Sequence, residues 1–184
     1  TLSETEYLLS LADEHDWILG VVGWVDMESS DASNTIYRLA EHPKFCGIRP
    51  MIQDIEDDDW MLGTTLEPAF TTLSNLGLTF DALVLPRHLK HLYTLLQRYP
   101  QLSCVIDHAA KPEIRAGNFD EWASDMAVLA KNTEVFCKLS GLATEAGPNW
   151  TVKMLKPYVE HLLTEFGPSR LMFGSDWPVV NLAS

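Results

Sequence analysis

Short apolar runs, most of them ending at or next to a charged residue, alternate with helix-period stretches along the whole chain. This alternation limits what it can fold into more than any other feature. The runs cover residues 18–26, 45–51, 80–85, 104–109, 135–142 and 171–173. Each is too short for a buried helix and is bounded by Gly, Pro or polar turn residues, so each reads as a buried strand. The stretches between them repeat apolar residues every three or four positions. Residues 31–41 place Ile36, Leu39 and Ala40 on one face before Pro43. Asp57, Asp58 and Asp59 suit the start of a helix that carries Leu66, Phe70, Leu73 and Leu76 and closes at Gly77. Residues 87–99 carry Leu89, Leu92, Leu95 and Leu96, and residues 119–131, capped by Asn118, carry Trp122, Met126 and Leu129. A last helix spans 151–166, with Pro157 expected to interrupt or restart it. Before the first strand, Ser3 to Glu6 resembles a capping box, with Tyr7, Leu8, Leu11 and Ala12 as its apolar stripe.

Strands alternating with helices imply a parallel sheet with helices outside it. A doubly wound nucleotide binder would open with a glycine-rich phosphate turn, and no G-x-G-x-x-G or G-x-x-x-x-G-K is present. Charged residues recur instead at strand ends: Asp26, Arg49, Arg87, Asp107 or His108, Lys138 and Asp176. A barrel gathers such residues at one mouth, where an open sheet spreads them along an edge. The fold expected is an α/β (β/α)8 TIM barrel. A complete one takes roughly 250 residues, so the 184 residues here make a single domain, 1–184, carrying about six of the eight strand–helix units.

Composition removes several function classes. A net charge of −13 argues against nucleic acid and anionic membrane surfaces as partners. Cys46, Cys104 and Cys137 lie in apolar runs without C-x-x-C spacing, which points to free thiols in a reducing compartment rather than disulfides or a zinc cluster. No apolar run approaches the ~20 residues of a membrane span, and the expected location is cytoplasmic. The chain does not open with Met, and its first strands and C-terminal tail are expected to be missing.

Three stretches carry candidate chemistry. In 170–180, R-L-M-F-G-S-D-W-P-V-V, alternation puts Met172, Gly174 and Asp176 on one strand face and a carboxylate at the mouth. Asp176 could equally cap a turn. In 105–112, V-I-D-H-A-A-K-P, parity with Cys104 and Ile106 turns His108 inward and Asp107 toward the helices, where Asp107 is structural. An imidazole there can polarise a carbonyl, move a proton or bind metal; a core histidine bonded to backbone is the alternative. Arg49 in G-I-R-P suits bidentate recognition or an ion pair. Arg87, Lys138, Trp24 and Trp177 stand near other strand ends and are candidate substrate-binding or wall residues.

The set G-W-V-D (23–26), G-I-R-P (47–50), I-D-H-A-A-K-P (106–112), C-K-L-S-G-L (137–142) and F-G-S-D-W-P (173–178) resembles the amidohydrolase-related (amidohydrolase 2) family, over the whole chain. Within it, order and spacing are similar to the branch of sugar-lactone and pyrone-dicarboxylate lactonases. The resemblance implies a (β/α)8 barrel that opens a lactone ring, acting on a small sugar-acid or carboxylated lactone. It makes Asp176 the base for the attacking water, His108 the group that polarises the carbonyl, and Arg49 a substrate-binding residue. The family's first-strand H-x-H pair is absent: no two of the six histidines are separated by one residue. Superfamily members commonly hold zinc or manganese, while this branch can work without, so the metal ligands stay open. A metal-dependent decarboxylase of the same superfamily, or an inactive, partner-binding remnant, are the competing readings.

Overall fold

The computed structural model describes residues 1–183. The elements run α1 (Leu2–Glu14), β1 (Val21–Gly23), α2 (Ala32–Ala40), β2 (Phe45–Ile48), α3 (Glu67–Leu76), β3 (Thr79–Ala82) and α4 (Leu89–Arg98). They continue with β4 (Cys104–Ile106), α5 (Asp120–Asn132), β5 (Phe136–Leu139), α6 (Leu142–Ala146), α7 (Val152–Phe166) and β6 (Leu171–Phe173). All six strands are parallel and pair in chain order, β1 to β6. A doubly wound sheet reverses its strand order partway, whereas a barrel does not. The sheet is therefore an open arc, an incomplete TIM barrel with helices outside it. No helix among the described residues is long and apolar enough to cross a membrane.

The core lies between arc and helices. Phe80 on β3 packs edge-on against Phe70 of α3, ring centroids 5.1 Å apart. Its register partners Ile48 and Cys104 therefore share the outer face of the sheet. Leu89, Leu92, Leu95 and Leu96 of α4 and Trp122, Met126 and Leu129 of α5 are all buried, as their spacing requires.

Several boundaries differ from the sequence reading, each for a local reason. The strands are only three or four residues long, because their C-terminal ends turn into the loops that build the site. The helix expected from Asp57 begins at Glu67, preceded by 3-10 turns at Trp60–Leu62 and Thr64–Leu66. Asp58 is bonded to Arg87 and His88 instead of capping a helix. Asn118 does not cap α5 but donates to Glu113. Pro157 does not break α7, since it sits on the exposed face, where the carbonyl it leaves unbonded meets water. In α1 the capping box is Thr1 with Glu4, and the buried stripe is Thr5, Leu9 and Ala12 while Tyr7 and Leu8 are exposed. Thr5 faces inward because its hydroxyl donates to the Trp24 carbonyl (2.9 Å) and accepts from the Trp24 amide (2.7 Å), closing the end of β1.

Candidate active site

The inner face of the arc carries a charged layer at its C-terminal end. Asp81 of β3, one residue beyond the outward Phe80, points inward, as does Lys138 of β5. The Lys138 ammonium bonds the Asp81 carboxylate and lies 2.6 Å from Asp107 Oδ1. Arg49 Nη1 reaches the other oxygen of Asp107 at 3.4 Å. Asp81 and Asp107 have side-chain exposures of 2% and 0%, so two buried carboxylates are balanced by two cations that stay partly open to water. Burial raises the Asp81 carboxyl above its usual range, and Asp107 adds to this while Lys138 opposes it. Burial would depress Lys138, but the Asp107 and Asp81 charges outweigh it and hold the ammonium above its ordinary value. Lys138 is thus a firm cation.

Asp107 corrects the parity argument. Cys104 and Ile106 face the helices, so Val105 and Asp107 face inward. Asp107 is structural, but as the inner anchor for Lys138 and Arg49. His108 reaches the mouth by a different route. The strand ends at Ile106, and residues 108–111 all adopt left-handed backbone, φ 49°, 52°, 58° and 51°. Four non-glycine residues there cost roughly 1–2 kcal/mol each, so the surroundings must enforce the turn. Trp122 Nε1 donates to the Ala109 carbonyl at 2.8 Å, and the Lys111 amide donates to the His108 carbonyl at 2.8 Å. Gly141, itself at φ 70°, lets the next loop pass: a Cβ there would stand 2.9 Å from the His108 Cβ.

The imidazole is fixed at both nitrogens. Nδ1 lies 2.8 Å from Ser140 Oγ, and Nε2 lies 3.5 Å from Asp176 Oδ1. A carboxylate beside Nε2 favours the tautomer with its proton there, which leaves Ser140 to donate to Nδ1. Burial lowers the His108 pKa below the usual imidazole value, and Lys111 and Arg49 add to this against the pull of Asp107 and Asp176. Asp176 is itself left-handed (φ 56°), so it too leaves strand parity before reaching His108. The other expected residues divide. Arg49 is partly open, and its amide donates to the Gly23 carbonyl at 2.8 Å, which ties it to β1. Arg87 is held by Asp58 at 2.6 Å outside this cluster, Trp24 is half-buried, and Trp177 is exposed. Asp81 escaped the sequence reading as a functional residue. Ser140 shares strand parity with Lys138, which makes either a candidate to line the mouth, and the structure places Ser140 against His108.

For a divalent ion, the cluster offers His108 and Asp176, two donors where protein zinc sites use three or four. No group of three His, Cys, Asp or Glu side chains suited to a metal occurs among the described residues. These residues alone do not fit a metal.

The fold and the cluster together define the class: a parallel α/β barrel arc with a histidine and an aspartate meeting at its strand ends. The chain belongs to the amidohydrolase family: its residues 3–184 match the family described as "Amidohydrolase" (Amidohydro_2). It is 51% identical over 183 residues to an L-fucono-1,5-lactonase of Burkholderia ambifaria, covering 100% of this chain and 63% of that protein. An L-fucono-1,5-lactonase of Burkholderia multivorans is 34% identical, with 98% and 64% covered. The chain thus spans just under two thirds of the length of these relatives. Among solved structures, a Burkholderia multivorans amidohydrolase with bound HEPES matches at a TM-score of 0.91 and 32% identity, covering 99% of this chain and 67% of that one. A second structure described in the same words, with bound zinc, matches at 0.88 and 34%, with 99% and 66% covered.

Proposed function

We propose that the protein is a lactone hydrolase and that the activity belongs to the whole protein of which these residues form the catalytic arc. The observation that carries this is the contact of His108 Nε2 with Asp176 Oδ1 at 3.5 Å, between side chains only 13% and 12% exposed. The names of the two lactonase relatives support it.

Opening a lactone needs a base for water and a donor for the oxyanion. Asp176 takes a proton from water as the water oxygen attacks the ring carbonyl. The Nε2–H of His108 donates to the carbonyl oxygen as negative charge develops there. The bond from the carbonyl carbon to the ring oxygen then breaks, and the proton on Asp176 passes to that departing oxygen. The product is an open-chain hydroxy acid. Arg49, 43% exposed, keeps donors free to meet substrate, with Trp24, Trp177, Arg87 and Lys138 as the remaining candidates for binding it. The decarboxylase alternative depends on a tightly held ion, and the donor set described gives it no specific support.

Asp176→Asn in the full protein tests the assignment. It keeps the shape and removes the base, and kcat on a panel of aldonolactones, followed by acid release, is expected to fall ~10²–10⁴-fold. Turnover close to that of the unsubstituted protein would refute it.

A further inference from the structure

Directly after Arg49, the chain between β2 and α3 crosses to α4 as a strap, residues 50–66. Ile52 anchors one end of it in the core, and Met61 and Leu66 anchor the other. None of residues 53–60 between these anchors is buried, so this span is held by its polar contacts. The Arg87 Nε–H donates to Asp58 Oδ1 at 2.6 Å, and His88 Nε2 lies 3.2 Å from the same oxygen. Asp59 Oδ1 lies 3.1 Å from His91 Nε2, and the Gln53 amide donates to the Leu83 carbonyl at 3.1 Å.

His88 is the part of this latch that can answer to protons. Its side chain is fully buried, and the Leu85 backbone N–H donates to its Nδ1 at 3.1 Å. A backbone amide has only a proton to offer, so Nδ1 is bare and the Nε2–H donates to Asp58. A second proton would have to sit on Nδ1, facing the Leu85 N–H. The imidazole is rigid, so turning away from Leu85 also breaks the contact with Asp58. The surrounding charges do little to favour a cation there. Asp58 is half open to water and shared with Arg87, Asp59 is taken by His91, and Glu121 and Asp125 of α5 are taken by Lys90. Burial holds the His88 imidazole below its ordinary value, and Arg87 and His91 add to this against the pull of Asp58. The strapped form thus binds a proton less readily than a released form with His88 in water. Its advantage is complete above the released value of ~6.5 and is lost progressively as pH falls from there to the lower folded value.

We infer that residues 53–60 are a pH-sensitive strap, released from α4 in mild acid when His88 takes up a proton and gives up its bonds to Leu85 and Asp58. Release loosens the chain that follows Arg49. It also frees Arg87, which with Leu85 and Pro86 forms part of the wall of a cleft of about 730 Å³. One side of the mouth therefore loosens in acid, whether or not the protein opens lactones.

Hydrogen exchange read by mass spectrometry on the full protein tests this, with rates corrected for the intrinsic effect of pH. Between pH 7.5 and pH 5.5, protection of the amides of residues 53–60 is expected to fall about tenfold, while that of α5 stays within about twofold. His88→Asn keeps an oxygen to accept from the Leu85 amide and cannot take a proton, so in this variant the fall should vanish. If that variant does not fold, the His88 ring signals in the unsubstituted protein decide, because they must titrate with the same midpoint as the loss of protection. No fall, a fall shared by α5, a fall that persists in His88→Asn, or a His88 midpoint that differs from it would each overturn the inference.

Discussion

Replacing Lys138 by Met removes the cation that keeps two buried carboxylates apart. Asp81 and Asp107 are 2% and 0% exposed, and only Arg49, at 3.4 Å and itself partly open to water, remains to compensate Asp107. Breaking a buried pair by deleting one partner costs roughly 3–5 kcal/mol. A domain holds only ~5–15 kcal/mol in total, so the variant should lose roughly a fifth or more of its stability at neutral pH. The loss should also depend on pH with a definite sign. The Asp81 carboxyl is already raised in the folded state by burial and by Asp107, and deleting Lys138 removes the charge that pulls it down. An acid with a raised folded pKa is destabilising when ionised. The penalty is greatest above that folded pKa and fades as pH falls through it, disappearing below the unfolded value of ~3.9. Urea unfolding followed by circular dichroism between pH 7 and pH 4 measures both the size and the slope. A further change of Asp81 to Asn removes one of the stranded charges and should recover much of the loss at pH 7. A destabilisation under ~1 kcal/mol, or one that does not change with pH, would refute the buried network.

Two shorter predictions address the imidazole and the edges of the arc. An NMR titration of His108 should give a midpoint below the ordinary ~6.5, and Ser140→Ala should raise it, because a hydroxyl donating to Nδ1 stabilises the neutral ring; an unchanged or lower midpoint would mean that the ring donates to Ser140. The 184-residue chain expressed alone is expected to bind hydrophobic dyes and self-associate, because Phe173, Trp177, Leu182, Trp17 and Leu19 are strongly exposed; a monomer that unfolds cooperatively and binds no dye would refute this.

Fold class and core were legible because both follow from period. The spacing of Leu89, Leu92, Leu95 and Leu96 admits one buried face, and the structure buries all four. Parallel order followed from the alternation of strands and helices. The site was legible in its residue types but not fully in its directions. Parity holds only while the backbone stays extended, and both His108 and Asp176 lie in left-handed conformation past the ends of their strands. No residue of D-H-A-A-K is a glycine that would announce such a turn. It is imposed from a distance, by Trp122 bonding Ala109 and by the space that Gly141 leaves open. Asp81 was unreadable for a related reason. It lies inside an apolar run where a carboxylate has no local purpose, and its partner Lys138 stands 57 residues further on.

The two halves of the site differ in how firmly the described residues hold them. Lys138, Asp81, Asp107 and Arg49 lie on the middle strands or at their ends, each of which is paired on both sides. His108 is gripped through Ala109, Gly141 and Ser140. Asp176 follows β6, which pairs on one side only, with β5. The outward Phe173 of that strand is 87% exposed, where its register partner Leu139 is packed against the core. Local opening follows such differences in burial and pairing, so the loop carrying the carboxylate should exchange with solvent more readily than the loop carrying the imidazole. On the proposed assignment of Asp176 as general base, which must be held within hydrogen-bond reach of its water, the rate depends on what steadies β6. Among the described residues the anchoring of the site is therefore one-sided: Lys138, Asp81, Asp107 and Arg49 sit on or beside strands paired on both sides, while Asp176 follows a strand paired only with β5.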